Sequence, residues 1–145
     1  MKKRENCLQI ATACFDPSYS SIRTRVKLSS LDGKLTVDDA VALWDTGSTC
    51  CGVSAAAVRQ LGLKQVDTTE VTYGDGEKRM EPVYILRLRF LQSGHEIYAK
   101  AAQFADNEKE DFIFGMELIR YGTMLLEPMG GGAFRFTFSV KTSKC

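Results

Sequence analysis

A single carboxylate, Asp45, stands between the apolar run Val41-Ala42-Leu43-Trp44 and the small residues Thr46-Gly47-Ser48, and two adjacent cysteines, Cys50 and Cys51, follow it. A carboxylate in that position is either an acid–base group or a turn residue that caps its own backbone. The thiols offer a rival chemistry. Neighbouring side chains diverge, however, and a disulfide between adjacent residues is strained, so the pair is expected to divide into one packed and one exposed thiol. His95 is the only histidine. That removes most Cys-His nucleophile and zinc schemes unless ligands come from other chains, and His95 itself is expected on a surface strand. Asp38 and Asp39 read as solvated turn residues. Gly130-Gly131-Gly132 lacks the following helix and lysine of a phosphate loop and reads as a flexible turn.

The elements that must position Asp45 follow from a hydrophobic period of two. Ile22, Thr24, Val26 and Leu28 alternate with Arg23, Arg25 and Lys27, and Asp32-Gly33 supplies a turn. The returning strand runs from about Leu35 and is apolar on both faces from Ala40 to Trp44, so Asp45 sits where a buried strand ends. Ser54 is the expected N-cap of a short helix with Val58 and Leu61 on one face and Gly62 as its stop. Residues 70–91 read as two strands joined by a turn through Gly74, Asp75 and Gly76, a hairpin whose polar tip projects from the core. Leu86, Leu88 and Phe90 face one way and Arg87 and Arg89 the other; His95 to Phe104 is another strand. A charged loop at 107–111, a short apolar strand, Gly115 and about two turns of helix ending near Gly122 come next. Two last strands carry Phe134, Phe136, Phe138 and Val140 on one face. The chain reads as all-β, with one or two short helices and a closed or partly closed barrel.

A chain of 145 residues fits one domain with a core of its own. Nineteen basic and eighteen acidic residues are scattered, leaving no basic stripe for phosphates, so nucleic acid is not an expected partner. No segment approaches the roughly 20 apolar residues of a membrane-spanning helix, and Glu5, Asn6, Gln9 and Thr12 interrupt what would be the core of a signal peptide. Five cysteines without repeated spacing do not form a secreted disulfide framework, so a cytoplasmic location is expected.

The segment "ALWDTGST" resembles the active-site loop of the retropepsin-like aspartic proteases. Two further elements carry the resemblance in the family's order: the hairpin at "TYGDGE" and the stretch "FIFGMELI", with "GMELIRYG" similar to bacterial members. Together they cover most of residues 36–128. The resemblance implies a closed acid-protease barrel for residues 21–145. Residues 1–20 are left as a segment that completes a dimer interface, is removed, or stays flexible. It implies Asp45 as the catalytic residue, Thr46, Gly47 and Ser48 as supports of the loop, and Tyr73, Gly74, Asp75 and Gly76 as the flap over the substrate. Peptide hydrolysis of this kind needs one carboxylate to take a proton from water and a second to give one to the carbonyl oxygen. The chain has one Asp-Thr-Gly, so the resemblance implies a homodimer with an Asp45 from each subunit on the two-fold axis, a peptide or protein substrate, no cofactor and no metal. Thr46 would bond across to the partner loop and Ser48 to the outer oxygen of the aspartate. Trp44 is larger than the aliphatic residue expected there; it fills the core or reshapes a pocket. The rival readings are a peptide-binding or dimerisation module of the same fold with little or no cleavage, and a thiol redox sensor using Cys50 or Cys51.

Overall fold

Around the Asp32-Gly33 turn, β2 (Arg23–Ser29) and β3 (Thr36–Trp44) pair antiparallel. The turn closes through Gly33 N–H donating to the Ser30 carbonyl at 2.9 Å. The computed structural model describes residues 6–142, so Met1–Glu5 of the expected N-terminal segment lie outside the described residues. β3 then lies parallel to β8 (Phe112–Phe114), β8 antiparallel to β4 (Cys51–Ser54), and β4 parallel to β7 (Glu96–Phe104). β7 pairs with β6 (Lys78–Phe90), whose last residues return to β2. The ring of six strands is closed, as the alternating pattern implied. β5 (Asp67–Thr72) pairs with β6 alone and stands outside the ring, so the hairpin at 67–83 projects from the barrel.

Leu28, Leu86, Leu88, Phe90, Phe112 and Phe114 fill the barrel and are fully buried, each from the inward position of its strand. Ser54 caps α1 (Ala55–Leu61) by accepting from Ala57 N–H at 3.1 Å, and Gly62 ends it in the left-handed region, with Val58 and Leu61 buried beneath. α2 is a single turn, Met116–Ile119, shorter than the two turns expected; the chain leaves it through a turn in which Gly122 N–H donates to the Ile119 carbonyl.

A second sheet in the order β1 (Cys7–Phe15), β10 (Ala133–Lys141), β9 (Thr123–Gly130) covers one face of the barrel. Phe136 and Phe138 point inward and are buried; Ile10, Ala11 and Phe15 of β1 are buried beside them. The charged loop at 107–111 is partly internal: Glu110 is buried, paired with Arg23 at 2.8 Å and bonded by Asn107 at 2.7 Å, while the Asp111 carboxylate accepts from Val41 N–H. A buried carboxylate is tolerable there because a guanidinium and an amide meet its oxygens.

Candidate active site

Asp45 follows β3 directly, and its backbone N–H donates to the Phe114 carbonyl at 2.9 Å, which ties the start of the loop to β8. Its Oδ1 accepts from Gly47 N–H at 2.9 Å and its carbonyl from Ser48 N–H at 3.2 Å, so the loop turns tightly on the aspartate itself. The side chain is half-buried, while Thr46 is exposed at the turn. The Ser48 hydroxyl donates to the Cys50 carbonyl at 2.8 Å and so braces the loop rather than bonding to Asp45.

The loop's far end is held by α2. A helix leaves its first N–H groups without partners, and here Met116 and Glu117 give theirs to the carbonyls of Ser48 and Thr49 at 2.8 and 2.9 Å. The loop caps the helix and the helix fixes the loop. Gly115 makes that approach possible: a Cβ there would lie 2.2 Å from the Cys50 carbonyl oxygen. The Gly of "FIFG" is thus required by contact with the aspartate's own loop.

The hairpin tip closes with Tyr73 N–H donating to the Glu77 carbonyl at 2.8 Å and Gly76 N–H to the Tyr73 carbonyl at 2.9 Å, with Gly76 at φ 83°. Asp75 caps the turn by accepting from Glu77 N–H. A cavity of about 530 Å³ lies between hairpin and loop, with Asp45, Gly47 and Ser48 on one side and Val71, Tyr73 and Gly74 on the other. Phe104 and Ile113 form an apolar wall, and Gln103 and Cys50 add polar atoms. The fold therefore brings Asp45, Gly47, Ser48, Tyr73 and Gly74 to one cleft; Thr46, Asp75 and Gly76 lie at the turns beside it.

A family model described as aspartyl protease matches residues 26–118, well over half of the chain. The chain belongs to the aspartyl protease family. The match spans the loop, the flap-like hairpin and "FIFG", the three elements on which the resemblance rested. No curated protein matches the sequence. Among solved structures, the chain is similar to a retropepsin-like aspartic protease from Rickettsia conorii, with 14% identity over 91% of this chain and 97% of that one and a TM-score of 0.43. It is similar to a Simian Foamy Virus (mac) protease, with 14% identity, 68% and 93% coverage and a TM-score of 0.44. It is also similar to a foamy viral protease-reverse transcriptase in complex with an RNA/DNA hybrid, with 14% identity and a TM-score of 0.48; the match covers 70% of this chain but spans only 12% of that one's length.

In this member of the aspartyl protease family Trp44 is a core residue. It is 5% exposed, its indole N–H donates to Thr24 Oγ1 at 3.0 Å, and its ring lies 4.2 Å from Phe114 and 4.8 Å from Phe138. The larger side chain joins the barrel to the sheet above it instead of shaping a pocket. Cys51 is buried and its thiol is pushed up to about 11 by desolvation; Cys50 is partly shielded and raised by the same cause. Burial thus disfavours at both positions the thiolate that a nucleophile or redox centre would need. Asp38 and Asp39 are exposed and face Lys27 and Arg25, and His95 is partly buried in the turn before β7. Among the described residues, no group of three His, Cys, Asp or Glu side chains is placed to hold a metal, and no helix is long and apolar enough to cross a membrane.

Two residues that hold Tyr73 from within the hairpin, Glu81 and Arg79, were missed. The Tyr73 hydroxyl donates to Glu81 at 2.7 Å, and the Arg79 guanidinium lies 5.1 Å over the Tyr73 ring. Burial and the adjoining Glu81 carboxylate push the phenol up to about 12. The available signal was strand alternation, which puts residues 79 and 81 on one face of the hairpin.

Proposed function

We propose that this chain is an aspartic endopeptidase that works as a homodimer, with water activated between the Asp45 carboxylates of two subunits. The observation that carries the reading is Asp45 itself, half-buried in a cleft beneath a projecting hairpin and held by a loop braced by β8 and α2. One carboxylate takes the proton of the attacking water while the other, protonated, donates to the peptide carbonyl oxygen. Two carboxyls held close share one proton, because both cannot ionise together. The exposed hydroxyl of Thr46 is free to bond to the partner's loop.

The dimer reading has support on the surface. Among the described residues β9 pairs only with β10, and it leaves Leu125, Leu126 and Met129 exposed. Edge strands with exposed apolar residues pair with further strands. The substrate is an extended polypeptide, which adds to the flap as a strand through the backbone of Gly74 and Asp75 and presents alternate side chains to the cleft. The free thiols at Cys7, Cys14, Cys50 and Cys51 support a cytoplasmic location.

A peptide-binding module without cleavage is the second reading, favoured by the Ser48 hydroxyl, which is engaged with Cys50 and leaves the outer aspartate oxygen without that bond. Incubating a fluorogenic peptide library with wild type and Asp45→Asn separates the two. The endopeptidase reading requires cleavage by wild type and a loss of at least about a hundredfold in the variant, as for removal of an acid–base group. Equal cleavage by both would sink it, and binding without cleavage by either would establish the module.

A further inference from the structure

One side chain in the roof of the cleft, Tyr73, is fixed by a contact within the hairpin itself. β5 and β6 pair with Val71 opposite Arg79 and Thr69 opposite Glu81. Alternation therefore puts Tyr73, Arg79 and Glu81 on the hairpin face that also carries Val71 over the cavity. Tyr73 folds back along this face. Its hydroxyl reaches Glu81 Oε1 at 2.7 Å, and Arg79, itself paired with Glu77 at 2.8 Å, lies over its ring. An unheld tyrosine beside a hairpin tip would sample several rotamers, and a binding peptide would have to order it. A hydrogen bond to a carboxylate is among the stronger neutral-donor bonds, and here it fixes the ring beforehand.

We propose that Glu81 is a positioning residue of the peptide-binding cleft: its carboxylate holds the Tyr73 phenol as a preformed wall facing Asp45. This rests on the reading of the cleft as a peptide site. Glu81 acts through Tyr73, whereas the geometry of Asp45 is set by β8 and α2. Its removal weakens peptide capture and spares the chemical step, a signature in KM rather than kcat.

The test measures kcat and KM for Glu81→Ala, Tyr73→Phe, the double variant and Glu81→Gln on the fluorogenic peptide that wild type cleaves best. Each single variant is expected to raise KM about tenfold with kcat within about twofold, from the loss of one charge-assisted bond. The double variant should be no worse than either, because both remove the same contact. Glu81→Gln should restore most of the wild-type KM, since its amide oxygen accepts from the same hydroxyl. Additive losses in the double variant, or a fall in kcat at unchanged KM, would overturn the assignment. If wild type cleaves nothing, the same four variants are compared by fluorescence polarisation with the labelled library. Weaker binding by Glu81→Ala alongside restoration in Glu81→Gln then upholds the positioning role while the peptidase reading falls. No binding by any of them ends both.

Discussion

Two turns face each other across the cleft, each with glycine in it or against it, and they are built to opposite requirements. The loop at residues 45–50 is gripped by β8 and α2, and a Cβ on its neighbour Gly115 would meet backbone at 2.2 Å. At the flap tip, residues 74–80 are all exposed, and a Cβ on Gly74 or Gly76 would meet nothing within 4 Å. Glycine serves the first turn because there is no space, and serves the second at Gly76 because φ is positive. The difference gives the loop that holds Asp45 rigidity and the hairpin tip freedom; under the proposed function these are the needs of a catalytic group and of a lid that opens for substrate.

The sharpest way to break this contrast is Gly115→Ala. Its added methyl must displace the loop or α2, and overpacking against backbone costs about 3 kcal/mol. Thermal unfolding should register a large drop in Tm, with cleavage lost as well; a variant of wild-type stability would mean that the grip on the loop is loose. A second probe of the gripped side is Cys51. Its thiol is held near 11 when folded and has an ordinary value of 9.0. Below pH about 9 it is protonated in both states, and its contribution is fully present. As pH rises towards about 11 the unfolded chain ionises first, and on the order of 2 kcal/mol of stability is lost. Denaturant titrations across this window should show wild type falling more steeply than Cys51→Ala, and parallel curves would deny the burial.

On the flap side, Gly76→Ala forces a left-handed backbone on alanine, a strain of about 1 kcal/mol at a tip with few contacts to lose. Stability should change least of the three, while KM rises. A Tm drop matching that of Gly115→Ala would erase the distinction between the turns.

What was legible in the sequence was local. The Ser54 cap, the Gly62 stop, the Asp32-Gly33 turn and the flap hairpin are each fixed by a few adjacent residues, and the structure contains all four. Trp44 was undecidable because the rings it meets, Phe136 and Phe138, lie more than ninety positions away and arrive only with the second sheet. Glu110 read as one charge in a solvated loop; its burial depends on Arg23, contributed by another strand. Closure of the ring through β2 and β6 is likewise a long-range pairing, of Val26 with Phe90 and Ser29 with Arg87. The site divides in the same way. Asp45 and its motif could be read in order, whereas Glu81 is joined to the cleft only by the register of the hairpin.

The central claim is that two chains share one catalytic centre, and dilution of wild type with Asp45→Asn at constant total protein tests it most directly. With random pairing of subunits, activity should follow the square of the wild-type fraction, falling to about a quarter at an equal mixture. A fall to half, in proportion to the wild-type chains present, would show that each chain works alone and would contradict the shared centre.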